Sequence, residues 1–128
     1  AILDLSMEQA KLRGLAAADP AAAGQLQAQI EDAEAAYRRA MQLEPGWSPG
    51  HARLATSLAA LGRHGESIAS HQRAIELDPK YEVTYFNYAN LLVEMGELDQ
   101  AKAMYQKALE IAPDLEAAKE ELEKLDER

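Results

Sequence analysis

Apolar positions fall at helical spacing along most of the chain, separated by short runs of turn-forming residues. Over residues 2–18, Leu5, Leu12, Leu15 and Ala16 stand among Glu8, Lys11 and Arg13, which predicts an amphipathic helix with one buried stripe. Asp19-Pro20 predicts a fresh start. The aspartate can cap a helix, and proline in the first turn gives up an N–H that has no helical partner there. A long helix is expected from Pro20 to Leu43, with Ile30, Ala33, Tyr37, Ala40 and Met41 facing inward. Gly24 weakens its start, and an Ala-rich loop over 18–24 is the alternative.

Pro45-Gly46-Trp47-Ser48-Pro49-Gly50 is the densest turn signal in the chain. Ser48 is expected to cap the next helix, with Pro49 in its first turn and an end near Leu61. Gly62 can take the left-handed conformation that closes helices. A partner helix should run from Glu66 to Leu77 and end at Asp78-Pro79. The plan then repeats, with helices near Glu82–Met95 and Leu98–Ile111 around Gly96. Residues 115–127 predict a last helix: Leu115, Ala118, Leu122 and Leu125 form a narrow stripe on a charged background, with Glu120 and Lys124 spaced to pair.

The pattern has a fixed period. Pro45, Pro79 and Pro113 are 34 residues apart, and Ala40, Ala74 and Ala108 keep the same interval. So do Tyr37, His71 and Tyr105, then Ala33, Ser67 and Ala101, then Trp47, Tyr81 and Leu115. Gly62 matches Gly96, Ala55 matches Ala89, and Leu58 matches Leu92. Small residues, aromatics and a closing proline in fixed columns at this period imply stacked helix pairs. Ala55 with Ser67, and Ala89 with Ala101, mark places where two helices should approach closely.

These columns resemble the tetratricopeptide repeat family, whose units open W-x2-L-G-x2-Y, continue A-x3-F and close on a proline. The third unit carries Tyr85, Tyr88, Ala89, Leu92, Ala101, Tyr105, Ala108 and Pro113; the second carries His51, Leu54, Ala55, Leu58, Ser67, His71, Ala74 and Pro79. The first keeps only Ala33, Tyr37, Ala40 and Pro45. The resemblance implies an all-α fold, a right-handed α-solenoid of about three antiparallel helix pairs with a C-terminal capping helix. Its units would be a divergent first repeat over 1–47, repeats over 48–81 and 82–115, and a cap over 116–128.

Charge narrows the function. A formal net charge of −9 opposes binding to a phosphate backbone, which needs clustered Lys and Arg, and opposes docking on an anionic membrane surface. No run approaches the roughly 18 apolar residues that would span a bilayer. With no cysteine, disulfides, thiolate chemistry and cysteine-based zinc sites are out, while the compartment stays open with the cytoplasm favoured. The start at Ala1-Ile2-Leu3 is expected to reflect excision or processing from a longer chain.

Little in the sequence points to catalysis. No nucleophile elbow, glycine-rich phosphate loop or HExxH motif occurs, so neither an enzyme nor a cofactor is expected. The carboxylate pairs Glu31-Asp32 and Glu120-Glu121 read as solvated charge on helical faces. His51 and His71 occupy aromatic columns of one helix pair, where their rings could lie near each other, but two imidazoles fall short of a four-ligand zinc site. Packing is the expected role of both, and His64 is expected in a solvated turn.

The resemblance places the functional surface on the first helix of each unit, where the family's concave side holds an extended peptide. By column, that side would carry Ala52, Arg53, Thr56 and Ala60, then Phe86, Asn87, Asn90 and Glu94, then Glu120, Glu121 and Lys124. Arg53, Thr56, Phe86, Asn87, Asn90 and Glu94 are the expected peptide-binding residues. Asparagine is disfavoured inside helices, and its amide can pair with both N–H and C=O of an extended backbone. Asn87 also matches the column where the family places a peptide-gripping asparagine. Phe86, the single phenylalanine, fits a groove anchor or a core position equally.

The family's chaperone adaptors grip a C-terminal carboxylate with Lys, Asn, Asn, Lys and Arg. Here those columns hold Ala52, Thr56, Asn87, Ala117 and Glu121, and only Asn87 fits. The expected partner is therefore another protein bound through a neutral or basic segment. Two alternatives are a substrate-recruiting arm of a larger glycosyl- or sulfotransferase and a self-association module forming a homo-oligomer.

Overall fold

The computed structural model describes residues 18–127, so the amphipathic stretch expected over 2–18 lies almost wholly outside the described residues. Among the described residues there are six helices and no strand. They are α1 (Pro20–Leu43), α2 (Ser48–Ala60), α3 (His64–Leu77), α4 (Glu82–Glu94), α5 (Leu98–Ile111) and α6 (Glu116–Asp126). Each packs on the next, and α2 also touches α4, so successive pairs stack into an all-α helical solenoid.

Local chemistry explains the boundaries. The Asp19 carboxylate accepts the Ala22 N–H at 3.1 Å and Pro20 occupies the first turn, so α1 begins where the cap signal predicts and the Ala-rich alternative does not form. Gly62 and Gly96 close α2 and α4 with φ of +78° and +79°. At each, the N–H one residue later reaches back five residues, Arg63 to Leu58 and Glu97 to Leu92, closing the last turn. This turn is so short that α3 starts at His64, two residues before the expected Glu66.

Ser48 departs from expectation. Trp47 holds the capping position without a side-chain bond, and the buried Ser48 hydroxyl instead donates to the Ala74 carbonyl at 2.9 Å. It ties the start of α2 to α3. Lys124 likewise pairs with Glu121 at 3.2 Å rather than with Glu120, closing a shorter i,i+3 contact.

The small-residue columns sit where helices cross. Ala55, Ser67, Ala89 and Ala101 are each fully buried, and the Ser67 hydroxyl donates to the Ala55 carbonyl at 2.6 Å. That distance leaves no room for a larger side chain. Around the α4–α5 crossing, Ala89, Leu92, Ala101 and Tyr105 join Ala118 and Leu125 of α6 in one core. Leu26 and Ile30 of α1 pack against Ala60 of α2, with Tyr37 and Leu61 at the edge. Ala33, Tyr37, Ala40 and Met41 are only half-buried, so the inward stripe of α1 is deepest at Ile30.

Four charges join α1 to the second pair. Glu34 Oε1 accepts from Arg38 Nε at 3.2 Å and from Arg63 Nη1 at 2.6 Å, while Glu66 pairs with both arginines.

Candidate functional site

A helix brings residues three and four apart onto one face. On α4 that rule groups Phe86, Asn87, Asn90 and Glu94, away from the buried Tyr85, Ala89 and Leu92. Arg53 and Thr56 of α2 stand 34 residues before Asn87 and Asn90, in the same columns of the preceding unit. All of them except Glu94 are half-buried, and Glu94 is exposed. Ala52 and Ala60, mapped to the same side, are 2% and 5% exposed and do not line an open surface.

Their polar atoms are unequally committed. Thr56 Oγ1 donates to the Arg53 carbonyl at 2.8 Å, which uses its proton and leaves only lone pairs for another partner. The Arg53 guanidinium lies over the Trp47 ring, 5.6 Å from its centroid, in cation–π contact. Asn90 accepts the Tyr105 hydroxyl at Oδ1, at 2.5 Å. Among the described residues, Asn87 makes no side-chain hydrogen bond. Phe86 is half-buried against the α4–α6 core, its ring tilted 57° to Tyr105 with centroids 5.8 Å apart.

The histidines are placed individually. His51 Nε2 meets the Pro45 carbonyl at 2.9 Å and must donate to it, since a carbonyl only accepts. One period later the Tyr85 hydroxyl donates to the Pro79 carbonyl at 2.8 Å, so His51 does the work of the tyrosine column. His71 is fully buried and stacked on Tyr88. Neither His71 ring nitrogen has a partner, and burial lowers its pKa from 6.5 to about 3, which keeps it neutral. His64 is not in a solvated turn: it opens α3, with a buried Nε2 4.0 Å from Glu94 Oε2. Among the described residues no cluster of three or more His, Cys, Asp or Glu could hold a metal, and no helix is long and apolar enough to cross a membrane.

Sequence reasoning missed Tyr105 as a neighbour of the site. The signal was present: its column favours phenylalanine in the repeat pattern, and a buried tyrosine hydroxyl needs a hydrogen-bond partner.

No curated protein matches the chain. Among solved structures, the first TPR domain of human RPAP3 superposes with a TM-score of 0.74 at 19% identity, over 96% of this chain and 90% of that domain. The first TPR of Spaghetti (RPAP3), bound to the HSP90 peptide SRMEEVD, gives 0.73 at 19% identity over 96% and 90%. The Thermobaculum terrenum O-GlcNAc transferase gives 0.72 at 23% identity, covering 98% of this chain but 23% of that one. These likenesses establish the fold. A model of the tetratricopeptide repeat matches residues 50–114, about half the chain and the span in which proline, alanine and aromatic columns recur twice in register, and on that match the chain belongs to the tetratricopeptide repeat family.

Proposed function

We propose that the chain is a protein-interaction module that holds an extended segment of a partner in a concave groove lined by α2 and α4, with Arg53, Thr56, Phe86, Asn87, Asn90 and Glu94 as contacts. The observation that carries this reading is the Asn87 amide. It sits half-buried on a helix face, beside Asn90, with no hydrogen bond among the described residues. An asparagine so placed gives nothing to its own helix, and its donor and acceptor suit the N–H and C=O of a strand. The half-buried Phe86 supplies apolar contact next to it.

The related fold of RPAP3 takes an acidic peptide, SRMEEVD. The charge of this chain argues for a different ligand. Glu94 lies beside the asparagines, Glu121 occupies a column where the adaptors need a cation, and the whole chain carries −9. A neutral or basic segment fits that field.

One observation supports a second reading. The chain aligns along 98% of its length with 23% of an O-GlcNAc transferase, as a recruiting arm beside a catalytic domain would. A further catalytic domain in the full-length gene product would favour it.

The experiment is a peptide-display screen against the wild type and the Asn87→Ala/Asn90→Ala double variant. Peptides selected by the wild type and lost in the variant support the proposal. Peptides that bind both forms equally move the site to another face, and the absence of binders favours the enzyme-arm or self-association readings.

A further inference from the structure

We infer that Tyr105 is a positioning residue of this face: its hydroxyl occupies Asn90 Oδ1 and so presents the Asn90 Nδ2 donors to the carbonyl groups of a bound segment. The inference deepens the peptide-binding reading and rests on it. An isolated asparagine side chain is ambivalent, because its amide can rotate to offer either oxygen or nitrogen. Here the choice is made from below. Tyr105 comes from α5, is fully buried, and is held in the core by Ala89, Leu92 and Ala101. From that position its O–H donates to Asn90 Oδ1 at 2.5 Å. Asn90 Nδ2 is not among the buried atoms without partners and makes no bond among the described residues, so it is open to solvent.

The same ring also supports Phe86, at 5.8 Å between centroids. One buried side chain on the second helix thus steadies two candidate contacts on the first. A phenylalanine at 105 would keep the ring contact and lose the amide orientation. Thr56, one unit earlier, has the opposite bias: its proton is used on the Arg53 carbonyl, and it offers only lone pairs. The same column therefore differs in sense between the two units, Asn90 donating and Thr56 accepting.

The test begins with the free protein. Tyr105→Phe should leave helicity intact and shift the side-chain amide resonances of Asn90 in an ¹⁵N–¹H spectrum, more than those of Asn87. Unshifted Asn90 resonances would overturn the inference whether or not a ligand is in hand. With a peptide recovered from the display screen, Tyr105→Phe should weaken binding by about tenfold in the wild-type background and have no further effect in Asn90→Ala. Asn90→Asp, which can still accept the tyrosine proton but has no donor, should weaken binding at least as much. Equal losses from Tyr105→Phe with and without Asn90, or full binding by Asn90→Asp, would sink the proposal. If Asn87→Ala binds that peptide as the wild type does, the peptide-binding face itself has been misassigned, which is a separate failure.

Discussion

His71 lies flat against Tyr88, with ring centroids 5.3 Å apart and planes within 5° of parallel. The stack joins α3 to α4 across the boundary between two units, and the imidazole in it has no hydrogen bond at either nitrogen. Thr84 Oγ1, also fully buried, likewise has no partner. The seam between these units is therefore held by ring contact and burial, with polar atoms that contribute nothing.

Acid should open this seam. The folded pKa of His71 is about 3 against 6.5 for a free imidazole, so below pH 6.5 the unfolded chain takes up a proton that the folded chain refuses. Stability from this residue is complete above pH 6.5 and is lost as the pH falls toward 3. Between pH 7 and pH 5 the loss is about 2 kcal/mol at 1.4 kcal/mol per unit. His71→Phe, which restores the aromatic of the repeat pattern, should remove that loss and stabilise the fold at pH 7 by about 1–3 kcal/mol, the cost of buried groups left unpaired. Urea titrations of both proteins at pH 7 and pH 5 check this; identical pH dependence in the two would refute it.

Gly50 should not tolerate a methyl group. A Cβ built there overlaps Cε3 of the Trp47 indole, which rests directly on the glycine. The corresponding positions one and two periods later hold Thr84 and Ala118, both fully buried, so only the unit that places tryptophan in this column needs glycine here. Gly50→Ala is expected to cost about 1–3 kcal/mol and to displace the indole from Arg53. Because Trp47 is the sole tryptophan, its fluorescence reports the change directly: a red-shifted emission from the folded variant is expected, and an unshifted maximum would count against the account.

Glu34 should matter more than an ordinary surface acid. Its side chain is 13% exposed and bonds Arg38 and Arg63 together, so it links α1 to the turn before α3. Glu34→Gln should lower stability by about 1 kcal/mol, the upper end for exposed pairs. Salt separates charge from packing. The wild type should lose most of this margin in about 0.5 M salt through screening, and the variant should lose little. A parallel salt response in both would assign Glu34 to packing alone.

The sequence carried most of the architecture because the period multiplies weak signals. A single alanine such as Ala55 says little, but the same alanine at position 89, with glycine seven residues after each, defines a crossing and a turn together. What escaped was any residue whose role depends on a distant partner. Ser48 looks like a cap from its neighbours, yet its hydroxyl crosses to Ala74. His64 stands between Arg63 and Gly65 in a turn-like stretch and looks solvated, yet it meets Glu94 from the next unit. Tyr105 belongs to a packing column, and only the stacking of α5 under α4 brings its hydroxyl to Asn90. Local pattern encodes helices; contacts between helices must be seen in space.

The helices α2 and α4 are each 13 residues long, begin 34 residues apart and end in glycine turns with φ of +78° and +79°. A segment lying across both would meet the same helix twice, and on main-chain geometry alone it could slide by one unit without noticing. What breaks that translational degeneracy is the mismatch within columns: Arg53 against Asn87, and Thr56 against Asn90. A ruler with identical marks cannot say where zero lies. On the proposed peptide-binding face these unequal pairs would supply an origin and a direction, and a segment held there would be fixed in register and polarity by the places where the repeat fails to repeat.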